Sequence, residues 1–158
     1  GLVGAAPEEL RRPGLGGAKT ATLVASVELA RRLARAQMPE RDPMQHPAAV
    51  ARYLRLRYVR ADQEVMGALY LDPRNRLVAE EELFAGTLSR AVVEPRALLS
   101  TALRHHAACM MLFHTHPTGD PSPSAEDLAF TRRLAKAGDH IGIRLVDHLI
   151  LGASNSLS

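Results

Sequence analysis

The stretch "FHTHPTGDPSPSAED", residues 113–127, concentrates side chains that can do chemistry. His114 and His116 stand two apart, and Ser124 and Asp127 follow a proline-rich bend. On a strand, residues two apart point to the same side, roughly 6.5–7 Å apart along the chain, so both imidazoles can reach one ion. The bend turns the chain over, and a helix opening at Ser124 presents Asp127 in its first turn. Two imidazoles and one carboxylate leave a fourth tetrahedral position for water, the arrangement of a catalytic rather than a structural zinc site. Zinc brings the pKa of such a water to about 7, so hydroxide is available at neutral pH.

A plainer reading fits the same letters. "SAED" matches S-x-x-D, a capping box in which Ser124 and Asp127 satisfy the first backbone N–H groups of a helix. A lone His-x-His also arises readily by chance among seven histidines. The joint pattern is rarer. With eight serines and seven aspartates in the chain, a serine at +8 and an aspartate at +11 from a chance pair have odds of roughly one in several hundred, which favours the metal reading. Ser124 can still cap its helix while its hydroxyl faces a metal-bound water.

The elements that must hold these residues follow from periodicity. "AACMMLFH" (107–114) is an apolar run of strand length and reads as a buried central strand. "SAEDLAFTRRLAKAG" (124–138) reads as a helix with Gly138 as its C-terminal stop. "EVMGALYLD" (64–72) is a strand ending in an Asp-Pro-Arg-Asn turn, and "RLVAEEELFAGT" (76–87) returns beside it. "PAAVARYLRLRYV" (47–59), opened by proline, and "EPRALLSTALRHH" (94–106) are helical. "IGIRLVDHLILG" (141–152) supplies one or two closing strands. Strands broken up by helices give an α/β or α+β domain, a sheet with helices against it. Upstream, "KTATLVASVELARRLARA" (19–36) has Leu23, Val27, Ala30 and Ala34 at helical spacing. "QMPERDPMQHP" (37–47) packs three prolines among charges and resists regular structure. The expected division is a helical segment over 1–36, a linker over 37–46 and the main domain over 47–158.

Composition narrows the class. Hydrophobic residues make up 46% of the 158, enough for a real core. No apolar run of about 18 residues is present to cross a bilayer. "GLVGAAPEELRRPG" has proline and charge where a signal peptide needs an apolar stretch. Cys109 is the sole cysteine, which excludes an internal disulfide and any cysteine-rich zinc finger. A cytoplasmic protein is expected, with both ends cut from a longer chain. The net charge of +3 sits in residues 1–36, where six Arg or Lys face three acids; the remainder balances at fourteen against fourteen.

His-Thr-His, seven residues, Ser, two residues, Asp resembles the JAMM (JAB/MPN+) zinc metalloprotease motif, in the version of the RadC family. "EVMGALYLD", "FAGTLSRAVVEPRALLSTAL", "MLFHTHPTGDPSPSAEDLAFTRRL" and "LVDHLILG" resemble blocks of that family in the right order, across about residues 47–152. The resemblance implies an MPN/JAB-type mixed sheet flanked by helices, with His114, His116 and Asp127 as ligands of one zinc per chain. It implies that Ser124 hydrogen-bonds the water or the developing oxyanion. It assigns the catalytic acid to Glu64, in "EVMG"; the residue pattern alone would not choose Glu64 over the other nine glutamates. The implied activity is hydrolysis of a peptide or isopeptide bond through a zinc-bound water, on a protein substrate.

The segment "RRPGLGGAKTATLVASVELARR" resembles the end of a helix-hairpin-helix DNA-binding unit, with Thr20 where that motif usually has alanine. The resemblance implies phosphate contact through Arg11, Arg12, Gly14, Gly16 and Lys19, since backbone N–H groups at a helix start suit an anion. The alternative to an enzyme is therefore a DNA-associated module of repair or recombination with a structural or vestigial metal. A third possibility is a metal-free interaction scaffold. Among other candidates, Cys109 is expected in the core, and Glu80, Glu81 and Glu82 are expected to form a solvated face. His105, His106, Arg52, Arg55 and Arg57 are expected in solvent. Asp147-His148 has a packing role as its first reading and orientation of a zinc ligand as its second. Oligomeric state is not legible.

Overall fold

The computed structural model describes residues 16–38, 42–58, 63–86, 93–116, 118–152 and 156–157. In chain order the elements are α1 (Gly17–Ala36), a 3-10 turn (Pro43–Gln45), α2 (Pro47–Tyr58), β1 (Glu64–Leu71), β2 (Leu77–Gly86), α3 (Pro95–Arg104), β3 (Cys109–Thr115), α4 (Ala125–His140), β4 (Arg144–Leu151) and β5 (Ser156–Leu157). The strands form one mixed sheet in the order β2-β1-β3-β4-β5. β1 pairs antiparallel with both β2 and β3, while β3 and β4 run parallel, joined by α4. This is the α/β architecture expected from the alternation of strands and helices, with β3 buried along its whole length at the centre.

Period 2 sorts the apolar residues into two layers. Val65, Leu69, Met111 and Phe113 pack with Val50, Tyr53, Leu54 and Tyr58 of α2, and Ala34 and Met38 join them from α1 and the residues just after it. Ala68, Tyr70, Met110 and Leu112 pack on the opposite face with Leu98 and Ala102 of α3 and Leu134 of α4. The even-numbered residues of β3 therefore look toward α3 and α4. His114 is one of them.

β4 reaches that face through an irregularity. The register runs Met110 to Leu145 and then Met111 to Asp147, so Val146 is an extra residue on the β4 side. Before this bulge Leu145 faces α3 and α4 while Val146 packs on the α2 side; after it Leu149 and Leu151 take the α2 side. One inserted residue flips the parity of everything beyond it. His148 is thereby turned toward α4.

Two expectations need correction. Gly138 does not stop α4, which runs on to His140; the left-handed residue after the helix is Gly142, with φ of 74°. Gly138 is instead a point of contact. A Cβ there would lie 2.2 Å from the Ile143 carbonyl oxygen, which is backbone and cannot swing aside. Alanine should gain up to about 1 kcal/mol of helix propensity, yet overpacking of this kind costs about 1–3 kcal/mol. Gly138→Ala is therefore expected to lower the urea midpoint of unfolding, and a raised midpoint would refute this account of the contact.

Nor do the three consecutive acids form a solvated face together: Glu82 is exposed as expected, while Glu80 and Glu81 are not. Leu69 pairs with Glu80 across β1 and β2, so Glu80 points to the α2 side. Its side chain is only 10% exposed, and its carboxylate accepts from the hydroxyls of Tyr53 at 2.7 Å and Tyr58 at 2.6 Å. Arg57 Nε lies 2.8 Å from it, and Arg35 also approaches. Burial, with the Glu80 carboxylate beside it, pushes the Tyr58 hydroxyl up to about 12. Glu81 points to the other face and meets Arg104 and His105, so neither His105 nor Arg57 is a purely solvated side chain. Cys109 is buried, as expected. Among the described residues no helix is long and apolar enough to cross a membrane.

Candidate metal centre

The β3–α4–β4 crossover brings the site together. β3 ends at Thr115, so His114 and His116 occupy its carboxyl end, where open α/β sheets commonly place ligands. The loop then delivers Asp127 in the first turn of α4. One ligand atom from each of His114, His116 and Asp127 lies within 4.8 Å of the others, and all three residues are buried. His114 Nε2 is 2.7 Å from His116 Nε2, and these nitrogens lie 3.4 and 3.6 Å from the Asp127 carboxylate oxygens.

The donor chemistry fits a cation. His116 Nδ1 lies 2.7 Å from the Asp120 carbonyl oxygen. A carbonyl only accepts, so Nδ1 carries the proton and Nε2 of the neutral ring presents a bare lone pair. That lone pair faces the His114 ring and an anionic carboxylate. The hydroxyl and the amide of Ser124 both donate to the Asp127 carboxylate and favour its anionic form. Electron-pair donors from three residues thus converge in a buried space, and two nitrogens with one carboxylate suit zinc with one coordination position left open.

Ser124 forms the capping box in full. Its hydroxyl oxygen accepts from Asp127 N at 3.1 Å, while its own N–H and O–H each donate to Asp127 Oδ2 at 2.7 Å. The capping and metal readings of "SAED" therefore coexist, because the carboxylate bound by Ser124 is the one that faces the histidines. Glu64 opens β1. The register pairs Met66 with His114, and Glu64, two residues earlier, shares that face of the sheet. A cavity of about 410 Å³ has Glu64, His114 and Asp127 in its lining together with the apolar side chains of Met66, Phe84 and Phe130.

The remaining predicted residues lie elsewhere. Arg11, Arg12 and Gly14 fall outside the described residues. Gly16 is the extended residue before α1 and Lys19 is exposed on its first turn, remote in sequence from β3 and α4. Thr20 is buried in α1, and among the described residues its hydroxyl has no hydrogen-bond partner.

The pair Asp147-His148 is split by the β4 bulge. Asp147 is in register with Met111, whose side chain packs on the α2 face. His148 reaches the centre, with Nε2 2.8 Å from His114 Nδ1. Desolvation pushes its imidazole down to about 3, and the neighbouring His114 ring adds to that. The sequence offered the residue but not the bulge that aims it.

This fold, with His114, His116 and Asp127 converging near the carboxyl end of β3, defines an α/β domain of the JAB/MPN type. The particular family is identified by comparison. A family model described as RadC-like JAB domain matches residues 44–158. A UPF0758 protein of Paracidovorax citrulli is 45% identical over 159 residues, covering 100% of this chain and 67% of that protein. One from Bordetella petrii is 44% identical over 159 residues, again covering 100% of this chain and 71% of the relative. One from Thiobacillus denitrificans is 45% identical over 148 residues, 94% of this chain and 66% of the relative. The chain belongs to the RadC family of the JAB/MPN superfamily.

Proposed function

We propose that this domain is a zinc-dependent hydrolase that cleaves a peptide or isopeptide bond in a protein substrate. The observation that carries this reading is the buried convergence of His114, His116 and Asp127, with His114 and Asp127 lining a cavity that Glu64 also lines. His114 and His116 would hold zinc through Nε2 and Asp127 through its carboxylate. Bound there, zinc supplies Lewis-acid polarisation of a carbonyl and a water activated at neutral pH.

The chain's own residues do the rest. The Glu64 carboxylate takes a proton from the attacking water and returns it to the leaving amine. The single O–H of Ser124 donates to Asp127 Oδ2 in this structure. It would turn from that carboxylate toward the oxygen that becomes negative during attack, while its oxygen keeps accepting from Asp127 N and so still caps α4. Met66, Phe84 and Phe130 give the cavity an apolar wall, which excludes water and receives an apolar part of the substrate. The two hydrogen bonds from Ser124 favour the anionic form of the Asp127 carboxylate, the form a metal ligand needs.

Elemental analysis tests the metal on which this depends. Protein purified without chelator is expected to carry about one zinc per chain, the stoichiometry of a single three-ligand site. No zinc, before or after reconstitution with excess metal and dialysis, would overturn the hydrolase reading.

A further inference from the structure

A line of hydrogen bonds leaves the metal centre through His114 and returns to it through Asp127. His114 Nδ1 lies 2.8 Å from His148 Nε2, and His148 Nδ1 lies 2.6 Å from Thr131 Oγ1. Thr131 Oγ1 lies 2.7 Å from the backbone carbonyl oxygen of Asp127. The final partner sets every direction in this line. A carbonyl only accepts, so Thr131 must spend its single O–H there. Its oxygen is then an acceptor for His148, which must carry hydrogen on Nδ1. A neutral His148 ring with hydrogen on Nδ1 has a bare Nε2, and that lone pair can only accept from His114 Nδ1–H.

This assignment leaves the His114 Nε2 lone pair bare and turned toward His116 Nε2, 2.7 Å away. His116 reaches the same state separately, through the Asp120 carbonyl. Each putting its proton outward, the two rings offer equivalent nitrogens to one point. An imidazole without such a partner can rotate about its χ2 bond or exchange tautomers, and either change withdraws Nε2 as a ligand.

We propose that His148, backed by Thr131, is a positioning residue that locks the tautomer and ring orientation of His114 for metal binding. The inference rests on the metal-site reading above and adds a pair of residues to it from β4 and α4. It also gives the β4 bulge a purpose. Were Val146 paired in unbroken alternation instead of bulged out of the ladder, His148 would face α2 and the line would be broken. Thr131 stands one turn beyond Asp127 on α4, so the same helix that supplies the third ligand anchors the support of the first. Partners of this kind are typically worth 10- to 100-fold in metal affinity.

The test titrates the whole chain with cobalt(II), followed by its d–d absorption, and reads histidine tautomers of the metal-free protein by long-range proton–nitrogen NMR at pH 8. The variants are His148→Phe, which keeps the ring shape but accepts nothing, His148→Gln, which restores an acceptor, and Thr131→Val. In the wild type, cobalt should bind near stoichiometrically and His114 should carry its proton on Nδ1. His148→Phe should weaken cobalt binding by about 10- to 100-fold and release the His114 tautomer, with a smaller loss in Thr131→Val and partial recovery in His148→Gln. Should His148→Phe melt or aggregate when metal-free, Thr131→Val carries the test, since it removes the anchor with almost no change of shape. Variants with wild-type affinity and an unchanged His114 tautomer would overturn the positioning role and leave the metal site standing. A wild type that binds neither cobalt nor zinc would overturn both.

Discussion

Elemental analysis of the His114→Ala/His116→Ala protein should return zinc at background level, against about one per chain in the wild type. Removing both imidazoles leaves one of the three proposed ligands, the Asp127 carboxylate, with only the more distant His148 ring behind it, too little to extract zinc from water. The fold should survive, because neither histidine takes part in the bonds between Ser124 and Asp127 that cap α4. That separates this variant from Asp127→Ala, which would strip a ligand and uncap the helix together. Metal that binds only the folded state stabilises it by linkage, about 4 kcal/mol when free zinc is a thousand times Kd. For a domain of this size, that corresponds to a shift on the order of 10 °C in Tm. A chelator should therefore lower the wild-type Tm and leave the double variant unmoved. Zinc retained by the double variant would place the metal somewhere other than β3 and α4.

The clustering of the candidate site was legible because its spacing maps directly onto local geometry. His114 and His116 are two apart on a strand, so period 2 alone puts them on one face. Ser124 and Asp127 are three apart at a helix start, so the capping pattern puts the carboxylate in the first turn. The intervening bend needs only to bring these two ends together, which the β3–α4–β4 crossover does. Element types were legible for the same reason. The apolar run before His114 is the central strand, and Pro47 and Pro95 each open a helix.

What escaped the sequence depends on partners distant along the chain. Glu80 looks like its neighbours Glu81 and Glu82, and strand alternation says only that adjacent acids take opposite faces. That one of them is buried follows from Tyr53, Tyr58, Arg35 and Arg57 meeting it from two helices. Gly138 carries a cue that a glycine matters, yet its reason is the Ile143 carbonyl pressed against its Cα after the chain has turned back. His148 is the sharpest instance. Read by unbroken alternation from Val146, it would face α2, and the register slip between Met110 and Met111 reverses that. Bulges of one residue leave no reliable trace in a pattern of apolar letters. Glu64 was singled out only by the family resemblance, and the fold puts it on the His114 face of β1, in the lining of the cavity that His114 and Asp127 share.

Glu64→Gln should retain about one zinc per chain while hydrolysis falls by about 100- to 10,000-fold, the usual contribution of a general acid–base group. The amide matches the carboxylate in shape, so packing at the start of β1 is kept; what disappears is the capacity to hold a proton between attack and departure of the amine. At roughly 1.4 kcal/mol per tenfold, the loss corresponds to about 3–5 kcal/mol in the barrier. The measurement pairs turnover on a panel of peptide and isopeptide substrates with zinc content and Tm for the same preparations. Loss of turnover together with zinc would make Glu64 a ligand or a support of the ligands. Unchanged turnover would move the proton acceptor to another residue of the cavity. Loss of turnover alone, with zinc and Tm intact, is the expected result, because Glu64 enters the cavity from β1 while the presumed metal ligands come from the β3 end and α4. That division lets one substitution remove the proton shuttle without disturbing the metal.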